Sequence, residues 1–169
     1  NGTSWTAVNS GLTNSDVWSL AVSGTNLFAG TYGGSVFLST NNGTSWTAVN
    51  SGLTNAVVWS LAVSGTNLFA GTWGGGVFLS TNNGTSWTAV NTGLTYKQVT
   101  ALAVSDTNLF AGTQTGVFLS TNNGTSWTAV NSSTLLLTSI NAFVVSPDGA
   151  GGKNLFAATG VGVLLSTNN

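Results

Sequence analysis

The chain of 169 residues has no cysteine, no methionine and no histidine. It carries only two basic side chains, Lys97 and Lys153, and three acidic ones, Asp16, Asp106 and Asp148. Arginine and glutamate do not occur at all. Each gap excludes something. Without cysteine there is no disulfide framework and no thiolate metal site. Without histidine a Ser-His-Asp relay cannot be built from the many serines. Charged residues make up 3% of the chain, against about 25% in an average globular protein. So neutral a surface offers no handle on phosphates, which argues against nucleic acid as a partner. It also protects weakly against self-association. Apolar runs such as Leu135-Leu136-Leu137 and Val163-Leu164-Leu165 are short, far from the roughly 20 residues that span a bilayer. These residues show no signal-peptide pattern.

What is there is repetition. Asn-Gly-Thr-Ser-Trp occurs four times, with its tryptophans at Trp5, Trp46, Trp87 and Trp127, spaced by 41, 41 and 40 residues. Such a period marks one supersecondary unit copied along the chain. The units run over residues 1–41, 42–82, 83–122 and 123–169, within a single repeat domain. In the first unit, four segments of Val, Leu, Phe, Trp and Thr stand out: Ser4 to Val8, Val17 to Val22, Asn26 to Thr31 and Val36 to Thr40. Clusters of Gly, Asn and Ser bound each one, which is the pattern of strands joined by tight turns. The 23 glycines and the lack of a 3.6-residue apolar period argue against long helices.

Four strands in about 41 residues correspond to one blade of a β-propeller. In Val17-Trp18-Ser19-Leu20-Ala21-Val22 both faces carry apolar groups, as expected of a sheet packed between two neighbours. Ser19, Ala21, Ser60 and Ala62 are small enough for the place where blades converge. The expected fold is an all-β propeller of four four-stranded blades; a parallel β-solenoid ranks below it, because its coils are usually shorter than this unit. The chain ends Leu165-Ser166-Thr167-Asn168-Asn169 and begins Asn1-Gly2-Thr3-Ser4-Trp5, so its two ends are halves of one motif. The N-terminal strand Ser4 to Val8 is therefore expected to complete the blade formed by residues 141–166. That join can lie within one chain or between two.

The text Ser-Thr-Asn-Asn-Gly-Thr-Ser-Trp, at Ser39 to Trp46, Ser80 to Trp87 and Ser120 to Trp127, resembles the Asp-box of sialidases and related bacterial propellers, also called the BNR repeat. Asn and Gly suit turn positions at positive φ. Hydroxyls and the amide can satisfy the turn's own backbone, and Trp is a large apolar plug. The structural turn residues are then Asn41, Gly43 and Trp46; Asn82, Gly84 and Trp87; and Asn122, Gly124 and Trp127. Asn41, Asn82 and Asn122 stand where the box has Asp, which weakens any case for a bound cation. Asn50-Ser51-Gly52-Leu53-Thr54, Leu68-Phe69-Ala70-Gly71-Thr72 and Gly74-Gly75-Gly76-Val77-Phe78 resemble secreted bacterial repeats of the sortilin-like or photosystem II assembly factor-like kind. The resemblance implies a propeller and a secreted or cell-surface location, and no particular activity. Sialidase chemistry is implied to need an arginine cluster, a tyrosine nucleophile and an acidic partner. This chain has no arginine and only Tyr32 and Tyr96. Glycoside hydrolysis needs two positioned carboxyls, and the three aspartates sit in non-equivalent loops. The chain reads as a non-enzyme without a cofactor or metal.

Positions that vary against a constant repeat are not dictated by the blade. One such column holds Trp18, Trp59, Thr100 and Asn141; a second holds Tyr32, Trp73, Gln114 and Gly160. Aromatic faces beside Asn, Ser and Gly suit sugar rings, so Trp18, Tyr32, Trp59 and Trp73 are candidate ligand-binding residues for a glycan. The competing reading makes them filler of the interblade core or of a channel rim. Unit four also differs, with the insertion Ser146-Pro147-Asp148-Gly149-Ala150-Gly151-Gly152-Lys153 and the apolar Leu135-Leu136-Leu137, which reads as a cap or a contact surface. Two functions are left: a structural, self-assembling homo-oligomeric module, possible as an eight-bladed ring of two chains, and a lectin-like binder.

Overall fold

The computed structural model describes residues 2–33, 35–131 and 138–168. These form fifteen β-strands and no helix. The first antiparallel sheet runs β1 (Val17–Ser23), β2 (Asn26–Thr31), β3 (Ser35–Ser39) and β4 (Thr47–Ala48). The second repeats it as β5 (Val58–Ser64), β6 (Asn67–Thr72), β7 (Gly76–Ser80) and β8 (Thr88–Ala89). The third is β9 (Val99–Ser105), β10 (Asn108–Thr113), β11 (Gly116–Ser120) and β12 (Thr128–Ala129). The fourth has three strands, β13 (Ile140–Pro147), β14 (Lys153–Thr159) and β15 (Gly162–Ser166). No helix among the described residues is long and apolar enough to cross a membrane.

The first hairpin shows how sequence sets the register. Ser23 pairs with Asn26 across a two-residue turn in which Gly24 has φ 60°, the left-handed conformation such turns require. In the third sheet Asp106 adopts φ 54° at the same place. The inner strands β1, β5, β9 and β13 pack side by side in chain order. Small residues let them approach: Ala62 and Ala101 are buried, and Leu102 N–H donates to Ser60 Oγ at 2.9 Å across the joint.

Each joint has two unlike halves. One sheet offers a trailing face, as with Val36, Leu38, Ala21 and Phe28 of the first. The next offers a leading face, as with Val58, Leu61, Val63, Leu68 and Phe78 of the second. Gly30, Gly71 and Gly112 sit beneath Val58, Val99 and Ile140 of the following sheet, so close that a Cβ would lie 2.7 Å or less from a methyl carbon. Glycine is required there by approach, not by φ.

Every complete corner turn is closed by the same hydrogen bonds. Ser80 Oγ accepts from Gly84 N–H at 2.8 Å and donates to Asn82 Oδ1 at 3.0 Å. Asn82 Oδ1 also accepts from Ser86 N–H, and its Nδ2 donates to Ser86 Oγ, both at 2.9 Å. The sets around Asn41 and Asn122 are equivalent. Asn42, Asn83 and Asn123 each have φ 55° and lead into Gly43, Gly84 and Gly124, also at positive φ. Trp46, Trp87 and Trp127 are buried, and their indole N–H groups donate to the carbonyls of Val8, Val49 and Val90.

The expected strands are present, with two differences. The outer strands β4, β8 and β12 have only two residues each, because the corner turn and the loop after Ala48 consume the rest of the segment. The second difference concerns closure. Residues 4–8 form no strand and are exposed, with Trp5 90% accessible, and the fourth sheet lacks its outer strand. The join within one chain is therefore not made. Among the described residues, the first and last sheets form no joint like those between neighbouring sheets. The unused leading face of the first sheet exposes Leu20 to 69%, whereas its counterparts Leu61 and Leu102 are 8% and 9% exposed. The unused trailing face of the fourth exposes Val163 to 71%, against 0% for Val77.

Within the unit-four insertion, Asp148 Oδ1 accepts from the backbone N–H groups of Ala150 and Gly152. Lys153 pairs with Asp106 of the third sheet, an exposed contact that adds little stability. Leu135, Leu136 and Leu137 lie outside the described residues.

Candidate functional site

The two variable columns meet at one end of the inner strands. Trp18, Trp59, Thr100 and Asn141 are each the second residue of β1, β5, β9 or β13. At all four positions the ladder is irregular: the register skips between Val17 and Ser19, Val58 and Ser60, Val99 and Ala101, and Ile140 and Ala142. Such a bulge re-aims a side chain. Tyr32, Trp73 and Gln114 follow the ends of β2, β6 and β10, which pair with the starts of β1, β5 and β9. A single rim thus receives residues from both columns.

The side chains form a graded surface. Trp18 and Tyr32 approach at 6.1 Å between ring centroids, Trp18 and Trp59 at 4.6 Å, and Trp59 and Trp73 stack at 5.0 Å with planes 20° apart. Beside them lies a recess of about 380 Å³ lined by Trp18, Trp59, Trp73, Thr100, Gln114, Ser139 and Asn141. One wall is aromatic and comes from the first two sheets. The opposite wall carries hydroxyls and amides. Gln114 Oε1 accepts from Tyr96 O–H at 3.0 Å, while Thr100 O–H donates to the carbonyl of Ile140 across the joint between the third and fourth sheets. Trp59 Nε1 is enclosed and meets no acceptor among the described residues. None of the lining side chains ionises near neutral pH, so the recess is uncharged, with aromatic, hydroxyl and amide groups in its lining.

Of the four aromatic residues expected to bind a ligand, Trp18, Trp59 and Trp73 line the recess, while Tyr32 packs tilted against Trp18 outside it. Thr100, Gln114 and Asn141 occupy the same columns in the later units; the sequence singled out the columns but attached ligand binding to their aromatic members only. Ser139 gave no signal, because it precedes β13 in the unit that departs most from the repeat. The turn residues Asn41, Gly43, Asn82, Gly84, Asn122 and Gly124 lie in the corner turns, away from this rim. No group of three or more acidic side chains that could hold a metal ion occurs among the described residues.

No family model and no curated protein matches the chain. Solved structures do. An ancestral GH74 enzyme superposes with TM-score 0.75 at 23% identity over 99% of this chain and 25% of its own. The extracellular domain of a one-component system from B. thetaiotaomicron gives TM-score 0.72 at 18% identity, over 91% of this chain and 21% of that one. YCF48 from Cyanidioschyzon merolae gives 0.61 at 16% identity, over 90% and 53%. The chain thus spans about a quarter or less of the first two proteins. At these identities the likeness establishes the fold alone: an all-β, propeller-type arrangement of four blades.

Proposed function

We propose that the chain is a non-catalytic propeller module of the Asp-box type that acts outside the cell as a self-assembling structural unit. The observation that carries this reading is the pair of unused faces. Val17, Leu20 and Val22 on the first sheet are exposed, and so are Val144, Val163 and Leu165 on the fourth. Their counterparts inside the chain form one interface, repeated three times. The chain therefore presents both complementary halves of a joint it already makes. Full burial of a Val or Leu contributes about 1.5–3 kcal/mol. Six such side chains, from 37% to 71% exposed, amount to roughly 5–10 kcal/mol of gross transfer per joint. Association costs about 4–15 kcal/mol once. A closed pair of chains gains two joints for that single cost, which favours an eight-bladed homodimer over an open chain of copies. An extracellular location is supported by the neighbour whose matched part is an extracellular domain. Light scattering on the purified chain is expected to give twice the monomer mass at micromolar concentration. A monomer mass that persists at ten times that concentration removes the proposal.

The aromatic rim supports a second reading, binding of a neutral oligosaccharide. Stacked indoles opposite amides and hydroxyls suit a sugar, whose C–H face packs on rings while its edges form hydrogen bonds. A glycan array with the native chain and Trp73→Ala tests it. Binding that disappears in Trp73→Ala with an unchanged melting temperature supports a ligand site; loss of folding in that variant makes the ring part of the core.

A further inference from the structure

We infer that residues 4–8 of one copy become the fourth strand of the last sheet of a second copy, each chain donating one strand and receiving one. This rests on the self-association proposed above and adds its geometry. The C-terminal end of the segment is already held in place. Trp46 N–H donates to Ser10 O at 2.8 Å, and Trp46 Nε1 donates to Val8 O at 2.8 Å. Trp87 makes the same two bonds to Ser51 and Val49, and Trp127 to Thr92 and Val90. Val49 and Val90 directly follow the outer strands β4 and β8 of the preceding sheet. Val8 thus stands where the end of a preceding outer strand belongs, and among the described residues no preceding sheet receives it.

The receiving edge is β15. Its counterparts β3, β7 and β11 pair with β4, β8 and β12 in one register: Phe37 opposite Ala48, Phe78 opposite Ala89, Phe118 opposite Ala129. The same register sets Leu164 opposite Ala7 of the second copy and Leu165 opposite its Thr6. Beyond those pairs, Val49, Val90 and Val130 N–H donate to Val36, Val77 and Val117 O, which assigns the Val8 N–H to Val163 O.

The corner turn is split in the same way. Ser166 Oγ donates to Asn168 Oδ1 at 2.9 Å, as Ser39 does to Asn41. In complete turns these two acceptors also receive the N–H groups matching Gly2 and Ser4. Gly2 already has φ 64°. Trp5, 90% exposed here, would then cover Leu155, Ala157 and Leu164 of the second copy, as Trp87 covers Leu68, Ala70 and Phe78.

Because the chain contains no cysteine, a cross-link reports the register without background. Directly opposite residues in a ladder lie about 4.5–5.5 Å apart at Cα, within disulfide reach. The double variant Ala7→Cys/Leu164→Cys, oxidised at micromolar concentration, is expected to run as a covalent species of twice the chain mass that reduction returns to one. Ala7→Cys/Ala142→Cys, out of register, is expected not to cross-link. Trp5→Ala, altered at an exposed site, is expected to melt like the native monomer and to weaken the dimer at least tenfold. A disulfide formed within single chains overturns strand donation in favour of self-closure. A dimer by light scattering without the in-register cross-link, or one indifferent to Trp5→Ala, overturns strand donation and leaves self-association standing. A monomer with no cross-link at any concentration overturns both.

Discussion

Gly71→Ala tests whether the joint between sheets is as tight as it looks. Gly71 is buried in β6, and a Cβ there would lie 2.7 Å from Val99 Cγ1, with Leu102 Cγ and Val99 Cβ each at 3.3 Å. Val99 is fully buried and Leu102 nearly so, so neither can swing into solvent. Forcing a methyl into such a place costs about 1–3 kcal/mol. Against this, alanine restricts the unfolded chain and returns about 0.4–1 kcal/mol where φ permits it. From the middle of these ranges the net loss is about 1–1.5 kcal/mol, or roughly 2–6 °C in melting temperature for a domain of this size. Urea unfolding and calorimetry measure it. The cause is isolated by a double-mutant cycle with Val99→Ala, which removes the obstructing methyls. The two changes are expected to compensate by about 0.5–2 kcal/mol relative to their sum. A Gly71→Ala protein that melts at or above the native temperature, or a cycle with no coupling, would refute the idea that the approach of β9 dictates this glycine.

The fourth sheet carries Ala158 where the other three have glycine, and the joint between copies must be wider there by the same reasoning; Ala158→Gly is expected to tighten the dimer several-fold in sedimentation equilibrium while leaving monomer stability within about 1 kcal/mol. Ser80→Ala leaves the buried Gly84 N–H without its acceptor and is expected to cost about 1–3 kcal/mol in urea unfolding, whereas Ser166→Ala, in the half-turn, lowers dimer affinity and not monomer stability. Trp59 is the ring shared by the two closest indole contacts; Trp59→Phe is expected to abolish the exciton couplet in the circular dichroism spectrum, and a couplet that survives contradicts the stack.

Much of this architecture can be read before any coordinates. Asn-Leu-Phe-Ala-Gly-Thr has turn residues at its start and branched or aromatic residues within, and it becomes β2, β6 and β10 without a shift of one residue. The aromatic columns could be identified because repeats differ there, although their meeting at one rim depends on bulges after Val17 and Val58 that no pattern announces. The failure to close lies at a different level. Whether Ser4 to Val8 reaches β15 depends on the rotation between successive sheets, summed over all four. That rotation is set by side-chain volumes at each joint, such as Gly112 against Ile140, and local propensity does not encode it. The same limit hid which face of β1 would be unused. Leu20 and Leu61 sit in identical text, Val-Trp-Ser-Leu-Ala-Val, and only the presence of a preceding sheet separates them.

The corner turns have one more consequence. Asn41, Asn82 and Asn122 hold their loops with amides, and an amide takes up no proton in mildly acidic water. A carboxylate in that position would be drawn into accepting the same N–H groups and would lose its hold on acidification. The scaffold of each full turn is therefore indifferent to acid, and a fold held largely through apolar contacts and neutral hydrogen bonds is expected to stay intact in sour surroundings where ion-paired proteins come apart.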